Sequence, residues 1–232
     1  DRRNTQPMPE FFHDTMESQA AQMESIVAAT SIEDMFDRLE ACGYFLRIDE
    51  NVRPKMFHGA TISKMELEQL RRIKNIVRRG HVQAIEEGKI VFADGSIPTT
   101  ANTVHVDCSA RAISNADIQP VFQGDLIVSQ MIRSYQPVFS AAFIAHIEAT
   151  YDDEAEKNRL CGVVPLPNHD TDYIKFTAIN LLNQYNWSQD KDLRHWLRNN
   201  RLDAIGHLAL DIPKDDAAKM AVMQRLRVNA PK

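Results

Sequence analysis

Apolar residues recur at helical spacing through most of the chain and at strand spacing only in its middle. Phe12, Met16, Met23, Ile26 and Val27 lie in a stretch from Phe11 to Ala29 without glycine or proline, which predicts a helix. Ile32, Met35, Phe36 and Leu39 follow at i, i+3, i+4 and i+7. Ser31 and Asp34 open that second helix in a capping-box pattern, and Gly43 stops it. Tyr44 to Asp49 reads as a short strand. Ser63 and Glu66 form another capping box, ahead of a helix with Met65, Leu67, Leu70 and Ile73 on its stripe. Arg71, Arg72, Lys74, Arg78 and Arg79 fall near its end, where cations complement the helix dipole.

Three short apolar runs then crowd together: Val82 with Ile85, Ile90 to Phe92, and Val104 with Val106. Glu86-Glu87-Gly88 separates the first two, and Gly88 can supply a positive φ. Asp94-Gly95 is a second turn signal. The pattern predicts a three-stranded meander whose last strand, Thr103 to Asp107, ends in the small residues Cys108, Ser109 and Ala110. Gly124-Asp125 precedes an alternating segment, Leu126 to Arg133, that reads as one further strand.

From Pro137 the pattern is helical again. Val138 to Thr150 is apolar nearly all round, which predicts a buried helix with Pro137 in its first turn. Asp152 to Leu160 reads as an exposed helix, and Val163 to Pro167 as an extended linker. Further helices are expected from Asp170 or Thr171, from Ser188 and from Pro213. The predicted regions are a helical one over 1–79, a meander with the buried helix over 80–150, and a C-terminal helical one over 151–232.

Composition narrows the function classes. Of the 232 residues 44% are hydrophobic and 25% charged, as in an ordinary globular protein. A net charge of −5 gives no electrostatic reason to bind nucleic acid or an anionic membrane. No apolar run approaches the ~20 residues that span a bilayer. Cys42, Cys108 and Cys161 are far apart and odd in number, which favours a reduced cytoplasmic setting over a disulfide scaffold. Among the eight glycines no two are closer than seven positions, so neither a G-x-G-x-x-G fingerprint nor a P-loop is present. The chain begins at Asp1 without an initiator Met, and it is expected to be the C-terminal piece of a longer protein whose nucleotide-binding glycines lie upstream.

The run Ile90-Val91-Phe92-Ala93-Asp94-Gly95-Ser96-Ile97-Pro98, followed by Thr103-Val104-His105-Val106-Asp107-Cys108-Ser109-Ala110, resembles the β-meander of two-dinucleotide flavoproteins. The likeness is to the C-terminal portion of bacterial FAD/NAD(P)-binding oxidoreductases. The run Arg133 to Ile144 is also similar to theirs, and the likeness extends over roughly residues 20–200. In that family the meander ends in an Ala-Thr-Gly-like turn beside the cofactor; here the turn reads Cys108-Ser109-Ala110. The resemblance implies an α/β class, α+β as a fragment. The chain would be mostly helical, with a three-stranded meander and one or two further strands, part of a Rossmann-like flavoprotein. It implies FAD and NAD(P)H as cofactors, a small-molecule substrate, and a missing N-terminal dinucleotide-binding region as partner. Cys108, Ser109 and Ala110 would bring backbone to the cofactor. Arg133, Gln136, Pro137, Val138 and Phe139 would face the flavin or its diphosphate, Arg133 and Gln136 at a helix start that favours anions. The plainer reading is that Arg133 pairs with a carboxylate and Gln136 caps. The arginines after Leu70 could likewise hold the extra phosphate of NADPH.

Other chemistry is thin. His105 and Asp107 share a strand face, but no C-x-x-C or H-x-x-x-H accompanies them, which argues against a metal. No G-x-S-x-G elbow is present. Cys108 is either a reactive thiol or a small inert residue. Asp170 and Asp172 read as a helix start. The alternative to an oxidoreductase fragment is a non-enzymatic helical interaction domain with the meander as a brace.

Overall fold

The structure, a computed structural model, describes residues 8–54, 61–108, 117–210 and 212–229. The chain forms two units, one of Asp1–Glu68 with Asp117–Lys232 and one of Gln69–Ala116. The meander and the helix after Pro137, expected in one region, thus fall in different units.

The larger unit is helical. A 3-10 turn at Pro9–Phe11 leads into α1 (Phe12–Ala28). In α2 (Ile32–Ala41) the Ser31 hydroxyl accepts from Asp34 N at 3.1 Å, while the Asp34 carboxylate accepts from Thr30 N at 2.9 Å. The capping box is therefore present but its return bond lands one residue earlier. Gly43 takes φ +77° and turns the chain back. Tyr44–Asp49 is not a strand. The amides of Tyr44 and Phe45 both donate to Leu39 O, at 3.0 and 3.1 Å, closing the helix end and sending both rings inward instead of into a ladder. The Ser63–Glu66 box closes reciprocally at 2.7 and 3.1 Å. Its helix α3 (Lys64–Leu70) stops before Arg71, so the five cations lie beyond the helix and not on its last turn.

In the smaller unit β1 (Ala84–Ile85), β2 (Lys89–Phe92) and β3 (Gly95–Pro98) form an antiparallel meander in that order. The meander is as expected; its third strand is not. Phe92 pairs with Gly95, so Ala93-Asp94 makes a two-residue turn, and Gly95 takes φ +132°. The chain folds back at once and fills the free edge of β2, leaving no edge there for Thr103–Asp107. That later segment lies outside any ladder. Gly88 does not need a positive φ; the positive values fall at Gly80 and Gly95 in this unit.

Back in the larger unit, β4 (Phe122–Gln123) and β5 (Leu126–Ile127) form a hairpin around Gly124-Asp125, with Gly124 at φ +61°. The expected strand over 126–133 is paired only at its start. Beyond it Met131 O accepts from Val164 N at 2.7 Å and Ile132 O from the Asn183 amide at 2.8 Å, so helices and linker take over the backbone. Helix α4 (Pro137–Thr150) is buried on one side only, through Phe139, Ser140, Phe143, Ile144 and Ile147. Val138 is 67% exposed, and alanines rather than large residues line the outer side, which is why burial all round is unnecessary.

Helix α5 (Glu154–Leu160) is capped by Asp153. Helix α6 (Asp172–Gln189) runs through Ser188, whose hydroxyl donates back to Tyr185 O at 2.7 Å instead of capping a new helix. Asp190 caps α7 (Lys191–Asn199), and its carboxylate is the stronger acceptor for the two N–H groups at that start. Helix α8 (Ala204–Leu210) carried no clear sequence signal. Helix α9 (Ala217–Asn229) begins after Asp216, which accepts from Lys219 N, and not at Pro213.

Among the described residues three cores hold this unit. One gathers the β4–β5 hairpin with α4 to α7 around Phe139, Phe143, Trp187 and Leu193. A second joins α1 to α8 and α9 through Phe12, Met16, Leu208 and Val222. The third sets Met35 and Leu39 of α2 against Tyr173 and Phe176 of α6. Arg225 of α9 is clamped by Glu24 at 2.7 and 2.8 Å and by Glu17. Among the described residues no helix is long and apolar enough to cross a membrane.

Candidate functional site

A cleft of about 310 Å³ opens in the larger unit where α2, the turn after it and the start of α6 converge. Phe36 comes from the helical stripe of α2, and Phe45 from the turn that Gly43 directs inward. Their rings stack 5.8 Å apart at 27°, and both lie against Tyr173, at 5.8 and 5.4 Å. Ile32, Leu46 and Pro54 complete the apolar lining. Beneath it the Gln22 side-chain amide donates to the Tyr173 hydroxyl. Burial holds the phenols of Tyr173 and Tyr44 above the usual range, so both are neutral at neutral pH.

The rim is ionic. Glu33, Glu40, Arg47, Arg53 and Asp170 surround the opening. Arg47 Nη2 sits 2.5 Å from Glu40 Oε2 and 3.8 Å from Asp37. Arg53 Nη1 lies 3.0 Å from Asp37, and its Nη2 donates to Glu33 O at 2.9 Å. Backbone N–H at Glu33 and the Ser31 hydroxyl hold the Glu33 carboxyl below its ordinary value, so it is anionic.

The residues expected beside a cofactor lie elsewhere. Arg133 is largely enclosed: its guanidinium sits 3.7 Å over the Phe139 ring and 5.0 Å from Trp187, with Nη1 2.6 Å from Asp203 Oδ1. Burial lowers its pKa and Asp203 opposes that shift. Gln136 occupies the N-cap position of α4 without a side-chain cap; its carbonyl accepts from Ser140 N at 2.9 Å and from the Ser140 hydroxyl at 2.8 Å. Pro137 is in the first turn, Val138 faces outward and Phe139 is core. The structure thus brings Arg133 and Phe139 together, in the carboxylate-paired arrangement. Cys108 is exposed and belongs to the smaller unit, while Ser109 and Ala110 lie outside the described residues. His105 Nε2 is 3.2 Å from Thr99 Oγ1, and the described residues contain no group of His, Cys, Asp and Glu able to hold a metal.

Sequence reasoning missed the cleft. Its signal was Tyr44-Phe45-Leu46-Arg47, which shares the alternation of a strand; only the capping glycine before it points to an inward turn.

Uncharacterized proteins of Mycobacterium bovis and Mycobacterium tuberculosis are 47% identical to the chain over 208 residues. The alignment covers 90% of this chain, and the chain spans 39% of the length of these curated relatives. No family model and no solved structure matches.

Proposed function

We propose that the chain is the C-terminal part of a flavin-dependent, NAD(P)-linked oxidoreductase. Its helical unit would form the substrate side, and its meander unit would complete a Rossmann-like dinucleotide-binding domain. The observation that carries this reading is the surface of the smaller unit. Phe92 is its sole buried side chain among the described residues. Val104 and Val106 are 85% and 76% exposed, and Ile73, Val82 and Ile85 are more than half exposed. A meander of two- and four-residue strands without a buried face needs a further layer. A sheet supplied by the rest of a longer protein would provide it. Thr103–Asp107 would join that sheet as a strand and carry Cys108, Ser109 and Ala110 toward FAD. The greater length of the mycobacterial relatives leaves room for such a domain. FAD and NAD(P)H would supply the redox chemistry, and the protein would orient them and a small-molecule substrate in the cytoplasm.

A second reading, a non-enzymatic helical interaction domain, is favoured by one observation. Asp203 neutralises Arg133 inside the fold, so the expected flavin-facing cation already serves packing.

The test is a visible spectrum of the protein from the complete reading frame. Flavin absorbance, lost in Gln136→Ala while the fold is kept, supports the oxidoreductase reading. A colourless protein that takes up no FAD on titration overturns it and leaves the interaction domain.

A further inference from the structure

We infer that the cleft beside α2 binds an organic cation with an apolar body, an ammonium carried on an aromatic or alkyl group. The site is distinct from the residues expected at the flavin and stands whether or not the whole protein carries one. The floor is aromatic: Phe36 and Phe45 stack at 5.8 Å and both line the cleft. Aromatic faces attract cations through their quadrupole.

The rim charges choose the same sign. Among the described residues the lining carries three carboxylates (Glu33, Glu40 and Asp170) and two guanidiniums (Arg47 and Arg53), and Asp37, outside the lining, pairs with both guanidiniums, an excess of two negative charges. The guanidiniums are already committed, Arg47 to Glu40 at 2.5 Å and Arg53 to Asp37 at 3.0 Å. An anionic ligand would compete with a protein carboxylate at either guanidinium. A cation can turn to Asp170 instead. Asp170 lines the cleft and, among the described residues, accepts from the Thr171 N–H at 2.8 Å. Its acceptor capacity exceeds that one bond. A volume of about 310 Å³ accommodates one ring with a short chain and is at the small end of ligand sites.

The experiment is calorimetric titration of the 232-residue chain, at low salt, with three probes of one shape: 2-phenylethylammonium, phenylacetate and 2-phenylethanol. The ammonium should bind about tenfold more tightly than the neutral alcohol, the size of a cation–π contact reinforced by a carboxylate, and phenylacetate most weakly. Asp170→Asn, at a partly exposed position, should keep the fold and lose most of the preference for the ammonium. Ile32→Trp, which fills the cleft from its rim, should abolish binding of all three. Absence of ammonium binding, phenylacetate binding as tightly as the ammonium, or a preference unchanged in Asp170→Asn would overturn the assignment.

Discussion

Arg133 Nη1 and Asp203 Oδ1 meet at 2.6 Å across 70 residues of sequence, with the two side chains only 11% and 9% exposed. The pair ties the segment before α4 to the start of α8, over the face of Phe139. Breaking a buried pair leaves an uncompensated charge, so Asp203→Leu should destabilise the protein by about 3–5 kcal/mol. Arg133→Met with Asp203→Leu, which removes both charges, should cost clearly less than the two single losses added. Urea unfolding of the four proteins measures this. An additive cycle would mean the pair contributes nothing beyond its separate packing.

Gly162 and Asn183 form a comparable lock. The Asn183 amide donates to Gly162 O at 2.6 Å and to Ile132 O at 2.8 Å, holding α6 to the linker and to the segment before α4. A Cβ at Gly162 would stand 2.5 Å from Asn183 Oδ1. Gly162→Ala should therefore push the amide off its buried acceptors and cost about 1–3 kcal/mol. Gly88→Ala is the control, because a Cβ there meets nothing within 4 Å. Equal melting temperatures for the two variants would contradict the argument.

These two locks also mark where sequence reading stopped. Helices α1, α2 and α4 were legible because their signals are local (a stretch without glycine or proline, the Ser31 cap with its stripe, and Pro137 before an apolar run), and the β2–β3 turn because Asp94-Gly95 announces it. Thr103–Asp107 was misplaced because its alternation cannot reveal that β3 already occupies the adjacent edge. Ser188 was mistaken for a helix start because Asp190, two residues on, is the residue whose carboxylate takes the Asp192 and Leu193 N–H groups. The alternative that Arg133 meets a carboxylate was open in the sequence. Which carboxylate could not be read, since Asp203 reaches it only through α8, a helix with little pattern of its own. The cleft depends on the same kind of distant meeting, Phe36 and Phe45 against Tyr173.

The three cysteines should separate in reactivity. Cys161 is 2% exposed and sits in the core with Leu160 and Trp187, and burial pushes its thiol up to about 12. At pH 8 that leaves about one thiol in ten thousand as the reactive thiolate. Cys42 and Cys108 are exposed. A thiol-reactive chromophore added at pH 8 should label Cys42 and Cys108 at once and Cys161 only after denaturant. Mass mapping of an early time point identifies the labelled sites, and early modification of Cys161 would show that its core opens.

Acid should weaken the junction of α6 and α7 through Asp190. Its Oδ1 accepts from Asp192 N at 2.8 Å and Leu193 N at 2.9 Å, and its Oδ2 from the Tyr151 hydroxyl at 2.7 Å. The Leu193 N–H first, then the Tyr151 hydroxyl, hold the carboxyl below its ordinary value. Burial and Asp190 together raise the Tyr151 phenol, so the shared proton stays on tyrosine across the neutral range. The folded pKa is thus lower than the unfolded one. The carboxylate then stabilises fully above the unfolded value of about 4, and its contribution is lost as pH falls through the folded value. Asp190→Ala should cost about 1 kcal/mol at pH 7, the usual loss on removing an Asp cap. The gap to the parent protein should narrow steadily below pH ~4, because the parent carboxyl is then protonated too. Asp34, Asp172 and Asp216 accept backbone N–H bonds at other helix starts and are shifted the same way, so both proteins should still lose stability in acid. Thermal unfolding of the two proteins across this range reads the difference directly. A gap that stays constant into acid would show that Asp190 acts as a neutral acceptor, its charge contributing nothing.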